Sequence, residues 1–383
     1  MSDSVIMAQC NRWQTRALLI GALAAIVSLV GAFVSRTQFF QSYLIAWLFW
    51  SGLSFGALVI VMMQFLTGGL WGLAVRNFST AAYRTIPWMA ALFLPVLLGV
   101  HRIFGWSNGA RGEAPGYHHK AQYLNVPFFT ARALVYFIAL IVVAFLLRKW
   151  TPAQTDTKSV PTRLTVLSVI GLIAYVLCMN FAATDWVMSL DPAWYSTIFV
   201  EIFVAGQFLS ALALMTALVT LFARHNSLGH AIPTKAFHDL GNMLLAFVIF
   251  WAYVSYSQFL IIWSGNLPKE ISWYLERSRG GWQWLAGALV LAQFFLPFVL
   301  LLSRAAKKNR ERLAGIASFI VCANILANFW LVAPSFHPSG LYIHWLDFTE
   351  WLALGGFWFA LFFRYLKQQP LIPAQLTEAK QNG

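Results

Sequence analysis

The chain has 383 residues, of which 60 % are hydrophobic and only 10 % charged, with 18 Trp and 33 Phe. A soluble domain carries about 25 % charged residues, so this composition excludes a soluble globular fold. The net charge of +13 suggests nucleic acid, but the basic residues cluster at the ends of apolar runs. That is the pattern of membrane topology and headgroup contact, and it excludes a nucleic-acid footprint.

A helix needs about 20 apolar residues to cross the hydrocarbon core. Ten such runs follow one another, at 15–34, 41–66, 84–104, 128–147, 162–183, 197–223, 239–263, 282–303, 313–333 and 347–366. They predict an all-α integral membrane protein of about ten transmembrane helices. The first run, within "MSDSVIMAQCNRWQTRALLIGALAAIVSLVGAFV", lacks a small-residue cleavage site and reads as a spanning helix rather than a removable signal. Runs two to five begin near 41, 84, 128 and 162, and runs six to nine near 197, 239, 282 and 313. At this nearly constant offset "SYLIAWLFWSGLSFGAL" aligns with "STIFVEIFVAGQFLSAL", with the same residue at 42/196, 49/203, 52/206, 57/211 and 58/212. An even number of helices per repeat makes the copies parallel. The expected organisation is an N-terminal flanking helix in 1–40 and a four-helix bundle in 41–183. A connector in 184–196, a second bundle in 197–333 and a last helix with a tail in 334–383 follow. Gly52 with Gly56, and Gly206 with Ser210, have the small-xxx-small spacing of helix packing seams.

With ten helices both termini lie on one side. That side holds 18 of the 26 Lys and Arg, so the termini are expected in the cytoplasm.

Only 13 residues are acidic, yet Asp185, Asp191 and Glu201 fall within 17 positions of "FAATDWVMSLDPAWYSTIFVEIF". They lie at the expected periplasmic end of runs five and six. Run three ends there in His101 and Arg102, run seven brings Tyr253, Ser255, Tyr256, Ser257 and Gln258, and run ten begins with His344, Asp347 and Glu350. Ionisable groups below the headgroups are functional candidates by default. A carboxylate in a poorly solvated site has a raised pKa and can pass protons near neutral pH. Asp185, Glu201, His101 and Asp191 are therefore proton-transfer candidates, with His101 expected close to the carboxylates. Plainer readings stand beside these: Asp191 can fix the turn before Pro192, Asp185 can end a helix, and Asp347 and Glu350 can snorkel. At the cytoplasmic start of run seven, "FHDLGN" offers His238 and Asp239 as a proton-uptake route, although a carboxylate at a helix N-terminus is also favoured by the dipole alone.

Cys10, Cys178 and Cys322 form no CxxC or CxxCH motif, and only His101 of the 8 His falls inside an expected span. The chain alone is not expected to hold an iron–sulfur cluster or a haem.

Several stretches are similar to a known family. "YLNVPFFTARALVYF" (123–137), "TDWVMSLDPAWYSTIF" (184–199), "HDLGNMLLAFVIFWAYVSYSQFLIIWSGNLPKE" (238–270), "HWLD" (344–347) and "PLIP" (370–373) resemble the NrfD/polysulfide-reductase-type membrane subunits. Among these the chain looks most like the shorter such subunit of alternative complex III, a quinol:cytochrome c oxidoreductase. The resemblance implies two four-helix bundles plus two flanking helices in a bacterial inner membrane. It also implies quinone or quinol as the bound molecule, near the periplasmic side, where His101, Asp185, Tyr256 and Gln258 become the candidate quinone contacts. An iron–sulfur protein, a multihaem cytochrome c and a second NrfD-like subunit are the implied partners. The positions it carries over are Asp185, Asp191, His238, Asp239 and Asp347. The chain departs from the family at Asn242, where a lysine is expected, at Glu201, where an apolar residue is expected, and in "AQLTEAKQNG", which replaces an acidic tail. Two other readings remain. One is a scaffold or proton-conducting subunit without its own quinone. The other is a secondary transporter, which would place its polar groups nearer the midplane.

Overall fold

The computed structural model describes residues 3–108, 120–151, 160–223 and 232–370. "PLIP" beyond Pro370 and the tail "AQLTEAKQNG" lie outside them. Among the described residues the elements are helical and none is a strand. Ten segments are long and apolar enough to cross a membrane, as expected.

In chain order the helices are α1 (Asp3–Val34), α2 (Arg36–Thr67), α3 (Leu70–Tyr83), α4 (Ile86–Ala91), α5 (Leu94–Leu98), α6 (Val100–Ile103), α7 (Val126–Trp150) and α8 (Thr162–Trp186). Then come α9 (Phe199–Phe222), α10 (Thr234–Gly265), the short α11 (Pro268–Arg277), α12 (Trp282–Leu289), α13 (Leu296–Leu302), α14 (Arg304–Lys308), α15 (Arg310–Val332) and α16 (Trp345–Leu366). A π-helical turn, Val290–Phe295, joins α12 to α13 in one span. Helices prevail because hydrocarbon offers no partner for backbone N–H and C=O groups, so each segment must satisfy its own. The ends are marked locally. Asn125 accepts from Phe128 N at 2.9 Å, Asn309 accepts from Glu311 N and Arg312 N at 3.0 Å, and Asn266 at φ 45° ends α10 in the left-handed conformation.

One expected span is displaced. The third run was placed at 84–104, but the spanning segment is Leu70–Leu98. It begins earlier because half-buried Arg76 and Arg84 are accommodated inside it. Arg84 Nη2 donates to Gln368 Oε1 at 2.5 Å, and its guanidinium lies 4.2 Å from the centre of the Tyr365 ring. It breaks into α3, α4, α5 and α6 because Pro87 and Pro95 supply no N–H and recur at the starts of α4 and α5. His101 consequently falls beyond the span.

Lys367 Nζ donates to Asn11 Oδ1 at 2.5 Å and to Gln14 Oε1 at 2.6 Å, which ties the end of α16 to the start of α1. The start of α1 and the end of α16 therefore share one face, here the terminal face; the other is the distal face. α2 is the central helix. It packs on α3, α8, α9 and α16, while α9 packs on α2, α10 and α15. α7 and α8 complete the first bundle, and α10, α12–α13 and α15 complete the second. α1 lies against α16, where the backbones touch at Gly21 and Gly356: a Cβ on Gly21 would stand 3.0 Å from the Gly356 Cα.

The two small-residue seams differ. A Cβ on Gly56 would stand 2.4 Å from the carbonyl oxygen of Gln207, so Gly56 allows α2 and α9 to touch. A Cβ on Gly206 would meet only Asn324 Oδ1, at 4.0 Å. Gly206 was expected to form a tight seam; it borders open space.

Candidate functional site

In the first bundle Asp185 is fully buried, at 0 % exposure. α8 carries it to the distal end, where α7 presents Arg132 one turn from Tyr136. Arg132 Nε donates to one carboxylate oxygen and Nη2 to the other, each at 2.8 Å, and the Tyr136 hydroxyl adds a third bond at 2.8 Å. The guanidinium lies 3.7 Å from the centre of the Tyr123 ring and also donates to the Tyr123 carbonyl at 2.9 Å. Burial, reinforced by the Asp185 carboxylate, pushes the Tyr123 phenol up. This is a paired anion with both carboxylate oxygens engaged. A proton-exchanging role would require Arg132 to release it.

The other carboxylates expected beside Asp185 lie apart from it. Glu201 is the third residue of α9 and is exposed on its first turn. His101 is exposed past the third span, with Nδ1 3.1 Å from Ser107 Oγ. Asp191 is half-buried and accepts from Ala193 N at 3.3 Å, the turn-fixing arrangement. Lys120, pushed down by burial, donates to the neighbouring Pro192 carbonyl at 2.7 Å. Among the described residues no hydrogen bond or ion pair joins Asp185, Glu201 and His101.

The second bundle holds a cavity of about 890 Å³ in its distal half, within the size range of small-molecule sites. Its walls are the outer halves of α2, α9, α10 and α15 with the α12–π segment, and α11 roofs it. The lining is mostly apolar. Tyr253, Tyr256 and Phe259 on α10 and Val290 and Phe295 opposite line it and are also exposed, so it opens sideways toward lipid. Gln258 is buried, accepts from Ser196 Oγ at 3.0 Å and donates to the Tyr274 hydroxyl at 3.3 Å. Burial pushes the Tyr274 phenol up to about 12.

Among the described residues four that line it hold a buried polar atom without a partner: Gln207 Nε2, Ser255 Oγ, Arg277 Nε and Trp330 Nε1. Three are N–H donors and the fourth is a hydroxyl. Such atoms are costly in a finished core. Arg277 is the centre of this set. It is 2 % exposed, lies flat on Trp273 with 3.6 Å to the ring centre, and donates to the Leu331 carbonyl at 2.9 Å. Among the described residues no carboxylate lies within ion-pair distance of it. Burial pushes its guanidinium down to about 9, so it stays a cation at neutral pH.

At the terminal face His238 Nδ1 lies 3.7 Å from Asp239 Oδ1 and 3.4 Å from Asn242 Nδ2. The cation that the resemblance would place at 242 arrives from another helix: Lys307 of α14 donates to Asn242 Oδ1 at 2.7 Å. Its stem crosses Gly241, where a Cβ would stand 2.6 Å from Lys307 Cγ.

Arg132, Tyr136, Arg277, Trp273 and Trp330 were not among the expected site residues. Arg132 and Tyr136 do lie in a stretch that carries the resemblance, at i and i+4 on one helical face, which was the available signal. Arg277 stands among loop charges with no pattern to single it out. Of the two residues expected to snorkel, Asp347 caps α16 by accepting from His344 N at 2.8 Å and binds Ser42 of α2 at 2.5 Å. Glu350 is buried at 2 % exposure, the opposite of snorkelling, because α1 covers it.

Fold and site together define a multi-pass, all-α membrane protein with an amphipathic cavity. No model of a protein family matches the chain, and no curated protein does.

Proposed function

We propose that this chain is an integral membrane subunit of a quinol:cytochrome c (electron acceptor) oxidoreductase and binds quinone in its second bundle. The observation that carries the reading is the set of unpartnered donors in the cavity. A quinone has two carbonyl acceptors on a flat apolar ring with an apolar tail. Arg277, Gln207 and Trp330 supply N–H donors for the carbonyls, the aromatic walls suit the ring, and the lateral opening suits the tail. A buried cation at that position would also favour negative charge on the oxygen of a bound acceptor. Electrons would leave to partner subunits, an iron–sulfur protein and a multihaem cytochrome c. The distal face is then periplasmic and the termini cytoplasmic, in keeping with the Lys and Arg distribution. His238, Asp239 and Lys307 are the candidates for proton traffic at the terminal face.

A second reading, a scaffold or proton-conducting subunit, draws on the saturated Arg132–Asp185 pair, which is built to hold helices rather than to turn over. Mild-detergent purification from native membranes separates the two. Quinone and redox-protein partners co-purifying with the chain are the expected result. Partners without quinone would favour the scaffold, and neither would defeat both readings.

A further inference from the structure

A second cavity, of about 390 Å³, lies on the opposite side of the molecule between α1, the start of α2, the third span and α16. Its walls include Phe39, Tyr43, Leu92, Pro95 and Phe357, and it opens past the exposed Leu18 and Leu29 toward lipid. Two polar side chains line it, Glu350 and Ser28, both 2 % exposed. Among the described residues neither Glu350 Oε1 nor Ser28 Oγ has a partner in good hydrogen-bond geometry, although the serine hydroxyl lies near enough to act on the carboxyl. Among the described lining residues the remaining polar side chain, Tyr43, donates its hydroxyl to the Leu92 carbonyl at 2.7 Å.

The depth of the two groups agrees. Glu350 follows the start of α16 at Trp345 by five residues and Ser28 precedes the end of α1 at Val34 by six. At about 1.5 Å per residue both lie roughly 7–9 Å inside the distal helix ends. No cationic side chain is among the described residues lining the groove, so a phospholipid phosphate there would have no partner. In apolar surroundings a lone carboxyl is held only by a matching partner. The carboxyl oxygen needs a donor, and the serine hydroxyl can donate to the same atom; a hydroxyl group serves both at once. The aromatic side chains of Phe39, Tyr43 and Phe357 favour a flat ring as its carrier.

We propose that this groove is a lipid-accessible site for a hydroquinone-type aromatic alcohol, its hydroxyl held between Glu350 and Ser28 and its tail leaving toward the bilayer. The site is separate from the second-bundle cavity, and its polarity is complementary: that cavity offers surplus donors, this groove a surplus acceptor.

The test uses the purified chain in phosphatidylcholine nanodiscs and an azido derivative of 2-decyl-1,4-hydroquinone kept reduced, with labelled peptides mapped by mass spectrometry. Label is expected within 18–29 or 350–357. Unlabelled 2-decyl-1,4-hydroquinone should displace it about tenfold or more better than its dimethyl ether, which cannot donate, or than dioctanoylglycerol, which lacks the ring. Glu350→Leu should weaken labelling by a similar factor. Ser28→Val is the second variant, should the first fail to fold. Label confined to the second-bundle cavity would overturn this inference while leaving the proposed function standing. Label in the groove alone would do the reverse. Equal competition by the ether or by dioctanoylglycerol, or wild-type labelling in both variants, would also overturn it.

Discussion

The two bundles have the same helix count, yet they handle polarity in opposite ways. The first encloses Asp185 with Arg132 and Tyr136 until the carboxylate accepts three hydrogen bonds. Among the described residues the second buries Arg277 with no carboxylate in contact, only Glu276 and Asp191 at longer range, and leaves its Nε beside other donors that have nothing to donate to. A saturated buried pair specifies how helices meet; it has little left to offer a ligand. An unsaturated buried set costs stability until something binds. The difference supports the proposal that binding belongs to the second bundle and architecture to the first, although the acidic residues alone point to the boundary between them.

Breaking the saturated side should give the largest effect. Removal of one member of a buried ion pair costs about 3–5 kcal/mol. Arg132→Leu should therefore lower thermal stability in detergent severely, and Asp185→Asn should also be destabilising because it leaves the guanidinium uncompensated. The double variant Arg132→Met, Asp185→Leu should recover most of the loss. A double variant no better than either single would show that the pair does not act as a unit.

The seam glycines sharpen the comparison at the next level. Gly56→Ala forces a Cβ toward the Gln207 carbonyl at 2.4 Å and should cost about 1–3 kcal/mol, the usual range for overpacking. Gly206→Ala, with 4.0 Å to its nearest neighbour, should leave stability nearly unchanged. Equal losses in thermal melts would remove the distinction between seam and cavity.

A pH series tests the open side. The pKa of Arg277 is lowered to about 9 by burial, so the fold disfavours its cation, and that cost is present below this value. A bound acceptor offsets the cost. Quinone binding that uses the charge should be flat across neutral pH and fall as pH rises through about 9. Binding that rises through that range would exclude the cation as a contact. The smallest effect is expected at Glu201, which is exposed on the first turn of α9: Glu201→Gln should stay within about 0.5 kcal/mol of wild type in thermal stability, as surface substitutions do.

The sequence made the ten spans legible because hydropathy over about 20 residues is decisive for a helix in lipid. It misplaced the third because Arg76 and Arg84 look like loop charges until the C-terminal segment is seen to receive Arg84. Asp185 was recognisable as unusual. Its partner was not, since Arg132 lies 53 residues away and only the fold joins them. The cavity was illegible for a related reason: Gly206 has the spacing of a seam residue, and nothing local tells a glycine that admits a helix from one that borders a void. Glu350 was read as snorkelling because the position of α1 over α16 is a tertiary fact.

The central claim is that the unpartnered donors of the second bundle hold a quinone head group. Equilibrium binding of a decyl-quinone to the purified chain in nanodiscs tests it most directly, comparing wild type with Arg277→Leu and Gln207→Leu at equal helix content. The account predicts that Arg277→Leu loses about tenfold or more in affinity, as expected for a hydrogen bond from a charged donor. It predicts a smaller loss, a few-fold, for Gln207→Leu. Wild-type affinity in both variants, or no measurable binding to the wild-type chain, would contradict it.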